Sequence, residues 1–353
     1  MPNTPKPSAG KQIALAGTLA AAAIVLGACG FDTSGSSDGG PPEPETEGIT
    51  LYAGRIPSAV GRPIDDFEAE TDRDVETRFA ESPDLAATIV EEGSNSPADV
   101  FFAQDSSALE AVADEGLLSK LPDDILDLVP AKFRDPDGRW VGVSGRARVI
   151  AYSDELPESE LPESPLELAE PEWRGRVGWA PATESLQAYV TALRLGYGDD
   201  RAREWLEDME ANDVQEYPDN VAVRDAIASG EIDAGLVNHY YVAQAIAAEG
   251  EDYPVKVHFP PNDFGSLVLV TGIGVLESSD DKEEAFDFVR AMLAPEAQRF
   301  FSASSKEYPL IDGVEPDSSL TVPLEDIPAP SGELTDINEV QATIELMQDA
   351  GAL

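Results

Sequence analysis

From Ile49 onward the chain alternates short apolar runs with amphipathic stretches of helical period, and this alternation limits the fold more than any other feature. Ile49-Thr50-Leu51-Tyr52 predicts a strand, followed by a turn at Gly54 and a helix reaching Phe67. Residues 75–79 predict a second strand. Residues 82–92 predict a helix with Leu85 and Ile89 one turn apart and Gly93 as its stop. Residues 98–102 read as a compact buried strand, and Ser106 or Ser107 can cap the helix that follows. The pattern recurs with a strand over 176–180, helices over 186–195 and 201–211, a strand over 232–237 and a helix over 240–248. Asp280 caps a further helix that Pro295 ends, and Val340, Ile344 and Met347 stripe a last one. Repeated βα units imply open, mostly parallel sheets with helices on both faces. About 300 residues suffice for two such lobes. There is no fixed-period internal repeat, which argues against a solenoid.

The N-terminal segment speaks to compartment. Lys6 and Lys11 precede an Ala-rich apolar run over 13–26. That run is shorter than the about 20 apolar residues a membrane span needs, and it fits a secretory signal over residues 1–28. It ends in Leu26-Gly27-Ala28-Cys29, which resembles the lipobox of bacterial lipoproteins, where the cysteine thiol is acylated. Cys29 is the sole cysteine, so lipidation leaves no thiol for an internal disulfide or a cysteine metal site. Residues 29–47 are Gly-, Ser-, Pro- and acid-rich and read as a disordered tether. The expected location is extracytoplasmic, on the outer face of the cell membrane.

The formal charge is −46, from 69 acidic against 23 basic residues. Such a field opposes nucleic acid and anionic lipid. The acids run through every segment after the tether begins, so they read as a solvated surface rather than as one cation site.

Only His239 and His258 occur, which excludes a site with three histidines. The single G-x-S-x-G pattern, Gly35 to Gly39, falls in the tether without the strand-turn-helix setting a nucleophile elbow needs. Neither a phosphate loop nor an H-E-x-x-H helix is present. Asn238-His239-Tyr240-Tyr241 does stand at a predicted strand-to-helix junction, where open α/β sheets bind ligands. A helix N-terminus favours anions, phenolates included. Free tyrosine ionises near pH of about 10, so a phenolate at neutral pH needs a hard, highly charged cation such as ferric iron. Consecutive aromatics are equally a packing motif, and the pair by itself leaves both readings open.

Five segments, in order, carry a resemblance: Ser96-Pro97-Ala98-Asp99-Val100-Phe101, residues 143–149 (VSGRARV), Trp173-Arg174-Gly175-Arg176-Val177-Gly178, Leu236-Val237-Asn238-His239-Tyr240-Tyr241 and Glu307-Tyr308-Pro309-Leu310. With them the chain from Ile49 resembles the ferric-iron-binding periplasmic proteins, transferrin-like solute-binding proteins of ABC transporters. The resemblance implies an α/β, two-lobed type II periplasmic-binding-protein fold, each lobe a mostly parallel sheet flanked by helices, with the ligand cleft between lobes. It places the lobes at 48–145 plus 270–320 and 146–269 plus 321–353, with crossing segments near Arg146 and Leu269. It implies Tyr240 and Tyr241 as Fe(III) ligands and no enzymatic activity. Arg146, Asn220, Asn238, Thr183 and Ser185 then hold a synergistic anion (carbonate or phosphate) or the backbone around it. Arg146 and Arg148 could instead form interlobe salt bridges. The expected partners are a membrane permease and the membrane itself through Cys29, with the protein a monomer.

Ligand positions of the family fall on Ile56, Gln104 (beside Asp105) and Leu186, and Glu184 stands where the anion loop usually has a small residue. Glu184 or Asp105 is therefore the expected source of a replacement oxygen, unless both belong to the surface excess of acid. Two alternatives remain: a different small solute, such as a ferric chelate or a thiamine-like ligand stacked on the tyrosines, and a secreted hydrolase using a serine with His239 or His258.

Overall fold

In the computed structural model residues 48–328 and 340–353 are described; the expected secretory segment, Cys29 and the expected tether lie outside them. The first half runs β1 (Gly48–Ala53), α1 (Pro57–Thr71), β2 (Asp74–Phe79), α2 (Ser82–Glu92), β3 (Val100–Ala103), α3 (Ser106–Asp114) and α4 (Asp123–Leu126). β1 pairs in parallel with both β2 and β3. β3 is Val-Phe-Phe-Ala and buried at every position, as a strand covered on both faces must be. The cap of α3 is Asp105, not a serine: its carboxylate accepts from the Ser107 N–H at 3.1 Å and the Ala108 N–H at 3.3 Å. The serines fall inside the first turn.

A long strand, β4 (Trp140–Ser153), leads to β5 (Val177–Trp179), α5 (Glu184–Tyr197), α6 (Asp199–Ala211), β6 (Gln215–Glu216), α7 (Asn220–Ala228), β7 (Ala234–Asn238), α8 (His239–Glu249) and β8 (Val255–His258). β9 (Val268–Val275), α9 (Lys282–Leu293), α10 (Pro295–Ser305), β10 (Tyr308–Pro309) and α11 (Val340–Asp349) follow. The sheet order is β2-β1-β3-β9-β4-β7-β5-β6, with β8 and β10 also on β4. Its two ends are parallel, as expected, but its middle is not. β9 runs antiparallel to β3 and β4, and β4 antiparallel to β7. Arg146 stands directly opposite Leu269 in the β4–β9 ladder.

Apolar side chains collect in separate cores. One joins β1, β3, the first part of β4 and α9 around Leu51, Phe101, Phe102, Phe288 and Phe301. Another packs α5, α6 and α11, with Trp205 edge-on to Trp179 and Tyr189 at 5.8 and 5.5 Å between ring centroids. A third fills the space among β7, α7 and α8. The predicted stripe of α6 is buried as Ala202, Trp205 and Met209, with Leu206 added.

Two local expectations shift and one gains a second role. Asp281 rather than Asp280 caps α9, accepting from the Glu284 N–H at 3.1 Å. Pro295 follows the end of α9 as expected and also opens α10 as its first helical residue, a position where its missing N–H costs nothing. α11 buries Thr343, Leu346 and Met347 in place of Val340 and Ile344. Thr343 enters the core because its hydroxyl lies 2.7 Å from the Thr191 hydroxyl and accepts from Arg194 at 2.9 Å, a match that apolar periodicity does not register.

β7 approaches its neighbours so closely that only glycine fits at 235. A Cβ there would lie 2.4 Å from Val223 Cγ1 and 2.9 Å from the Gly178 carbonyl oxygen. Gly235→Ala is expected to destabilise the protein by about 1–3 kcal/mol, the usual range for overpacking, measured by urea denaturation.

Candidate functional site

β7 ends at Asn238 and α8 starts at His239, so Tyr240 and Tyr241 occupy the first turn of a helix at the carboxyl end of a strand. Their half-buried rings lie 4.3 Å apart between centroids at 37°. Both line a cleft of about 750 Å³. Burial, then the neighbouring Tyr240, drives the Tyr241 phenol well above its ordinary pKa. The Tyr241 phenol therefore keeps its proton at neutral pH unless a strongly polarising cation displaces it.

The adjacent His239 faces away from this chemistry. Its Nδ1 accepts from the Ala147 N–H at 3.1 Å, which leaves Nε2 to donate to the Lys306 carbonyl at 2.9 Å. Burial lowers its pKa to about 4. It is a neutral strap joining α8 to β4 and to the end of α10. His258 contacts the Pro162 carbonyl through Nε2 at 2.9 Å. Both imidazoles thus engage backbone rather than a serine hydroxyl, which leaves the hydrolase alternative without its central contact.

Of the other predicted residues, Arg146, Thr183, Glu184, Ser185, Asn220, Asn238 and Gln104 line the same cleft. Asp105 is not among the lining residues. The three departures from the family's ligand pattern go different ways. Leu186 is buried at 1% exposure in the core with Trp205; Ile56 stands 68% exposed at the cleft rim; Gln104 lines the cleft.

The arginines make no ion pair across the cleft among the described residues. Arg146 donates to the Gln104 carbonyl and to Thr271 Oγ1, the latter at 3.1 Å. Arg148 is 1% exposed, and its Nη1 donates to Ser185 Oγ at 3.0 Å, Asn238 Oδ1 at 3.2 Å and Asn220 Oδ1 at 3.3 Å. Among the described residues its Nε and Nη2 have no hydrogen-bond partner. Burial lowers its pKa to about 10, so it stays charged at neutral pH. A buried cation without a carboxylate is costly unless anionic oxygen comes near, and ionised Tyr241 and Tyr240 would be that oxygen.

Glu184 opens α5 and is solvent-exposed on the cleft wall. Partial withdrawal from water, then the Asp105 carboxylate, raise its pKa to about 7, while Arg146 offsets part of the rise. A carboxyl with a raised folded-state pKa destabilises the fold as pH climbs from its ordinary 4.5 through 7. Glu184→Gln should therefore raise the melting temperature of the protein above pH 7 and leave it unchanged below 4.5. Solvent screening keeps the gain small.

Sequence reasoning missed the network beneath the opposite wall. Arg55 pairs with Glu307 at 3.1 Å and donates to Thr271 Oγ1 at 2.8 Å, while Ser144 donates to Glu307 at 2.5 Å. Both partners are nearly fully buried, and both line the cleft. Burial alone would raise the Glu307 pKa, but Arg55 and Arg146 hold it below its ordinary value. Glu307 lies in one of the five matching segments, so its position was marked although its role was not.

Residues 95–328 match the family model described as bacterial extracellular solute-binding protein. The chain is 32% identical over 311 residues to the Fe(3+)-binding periplasmic protein of Serratia marcescens, covering 87% of this chain and 91% of that one. Iron-bound HitA from Pseudomonas aeruginosa superposes with a TM-score of 0.79 at 34% identity, covering 86% of this chain and 99% of HitA. Trichodesmium IdiA (FutA), solved with iron and citrate ligands, gives a TM-score of 0.77 at 29% identity over 87% of this chain and all of that one (100%).

Proposed function

This chain belongs to the bacterial extracellular solute-binding proteins and, within them, to the ferric-iron-binding periplasmic proteins, and we propose that Tyr240 and Tyr241 hold ferric iron as its cargo. The observation that carries this reading is the tyrosine pair, side by side at the cleft, above a buried Arg148 that has no carboxylate partner among the described residues. A Tyr241 phenol that resists ionisation, together with a fixed cation awaiting anionic oxygen, suits a metal hard and charged enough to displace a phenolic proton. Softer or less charged metals gain less from such donors. Glu184 supplies a further anionic oxygen from the same wall. Asp105 is the weaker candidate, because one of its oxygens is committed to capping α3.

A small anion, carbonate or phosphate, fits beside the metal at the N-terminus of α5. Thr183 and Ser185 start that helix, Arg146 adds charge, and Asn220 and Asn238 fix Arg148 beneath it. Residues 48–145 plus 270–320 act as one lobe and 146–269 plus 321–353 as the other. Strands β4 and β9, paired at Arg146 and Leu269, carry the hinge between them. A cation touching both lobes favours the closed form. A membrane permease of an ABC transporter reads that form and takes the iron, while acylated Cys29 tethers the monomer to the outer face of the membrane.

Visible absorption tests the reading. Iron-loaded protein is orange to red from tyrosinate-to-iron charge transfer; a thiamine-like or other metal-free solute leaves it colourless.

A further inference from the structure

We propose that Glu81 is the carboxylate that meets the tyrosine-held cation from the opposite wall of the cleft. This rests on the ferric-iron reading above and adds a residue to it. Among the acids lining the cleft, each but one of the others has a task. Glu307 is paired with Arg55. Asp219 caps α7, accepting from the Ala222 N–H at 2.8 Å. Glu184 projects from the wall that carries the tyrosines. Glu81 alone is left on the facing wall, where Ile56, Pro57, Phe79 and Gln104 offer no charged oxygen.

Its surroundings hold it there. Glu81 precedes α2 with an extended backbone (φ −65, ψ 144) and its side chain caps nothing. The next residue, Ser82, is 1% exposed and acts as a rivet: its hydroxyl accepts from the Gln104 N–H at 2.8 Å and donates to the Gly54 carbonyl at 3.4 Å. Gly54 allows this contact, since a Cβ there would lie 2.0 Å from Ser82 Oγ. The Glu81 carboxylate therefore stands free in the cleft on a rigid base, and its charge is felt by Glu184.

Closure requires this kind of donor. A ligand shifts an opening equilibrium only through contacts that differ between the two states. Tyr240, Tyr241 and Glu184 share one wall and are equally available with the cleft open or closed. An oxygen from the facing wall reaches the cation only on closure.

The test uses Glu81→Gln, with Glu81→Asp as the conservative variant, titrated with ferric nitrilotriacetate and followed by visible absorption and small-angle scattering. Thermal unfolding of the iron-free variant should match the parent, since the side chain is exposed and unpaired. Expected for Glu81→Gln are a retained charge-transfer band at saturation, an apparent iron affinity at least about tenfold weaker, and loss of the iron-induced fall in radius of gyration. Glu81→Asp should recover part of both. Parental affinity and full contraction in Glu81→Gln overturn the proposal while leaving the iron reading intact. A parent protein that develops no band overturns the iron reading itself.

Discussion

Phenylalanine at both 240 and 241 is expected to abolish ferric-iron binding and the colour that goes with it, with the fold intact. Each substitution removes one hydroxyl from a half-buried ring and leaves the ring to pack as before. Removing a group that merely orients a ligand costs about 10–100-fold in metal affinity. On the proposed assignment Tyr240→Phe or Tyr241→Phe alone removes a ligand itself, so each should exceed about 100-fold. The losses should not add simply, because the two phenols touch and share the field of Arg148. Competition with citrate for iron gives the affinities, and thermal unfolding of the iron-free variants confirms the fold.

The second large effect is on stability. Glu307→Ala should destabilise the protein by about 3–5 kcal/mol, the usual consequence of leaving a buried charge without its partner. Two guanidiniums, Arg55 and Arg146, lose their counter-charge at once, and Ser144 loses its acceptor. Because the folded-state pKa of Glu307 lies below its ordinary 4.5, its contribution is present above that pH. It disappears as pH falls through the lowered value. Urea denaturation at neutral pH should therefore separate parent from variant widely, and the gap should narrow under strong acid. Arg55→Met with Glu307→Leu should restore part of the loss, since an apolar pair of similar volume often replaces a buried ion pair without penalty. Arg146 keeps the recovery incomplete.

Sequence pattern made the outer parts of the fold legible. α6 and β3 follow directly from spacing, because each buries residues at its own period against a single core. The centre was harder. β4 and β9 are buried on nearly every residue and carry Gly142, Gly145, Gly272 and Gly274, so neither alternation nor a dense apolar run marks them. Those glycines answer to packing: a Cβ on Gly142 would sit 2.7 Å from the Phe133 carbonyl oxygen, and one on Gly272 2.7 Å from Leu109 Cδ1. The antiparallel middle of the sheet was accordingly read as part of a mostly parallel one.

At the site, the tyrosine pair was visible because it stands at a strand end preceding a helix, whereas Thr183, Ser185 and Asn220, at the α5 and α7 N-termini, were marked only by the family resemblance. What stayed hidden depends on contacts distant in sequence. Asp105 looked like a free carboxylate until α3 was seen to begin on it. Arg148 looked like half of a salt bridge, whereas its partners are two asparagines and a serine. Glu81 carries no local motif at all and gains meaning only from the cleft it faces.

The most direct test of the central claim is a titration of iron-free protein with ferric nitrilotriacetate, recorded in the visible range for the parent and for Tyr240→Phe/Tyr241→Phe. The parent should develop an orange-to-red charge-transfer band that saturates at one iron per chain, and the double variant should stay colourless. A parent that remains colourless, or a double variant that binds and colours like the parent, would contradict the assignment of ferric iron to Tyr240 and Tyr241.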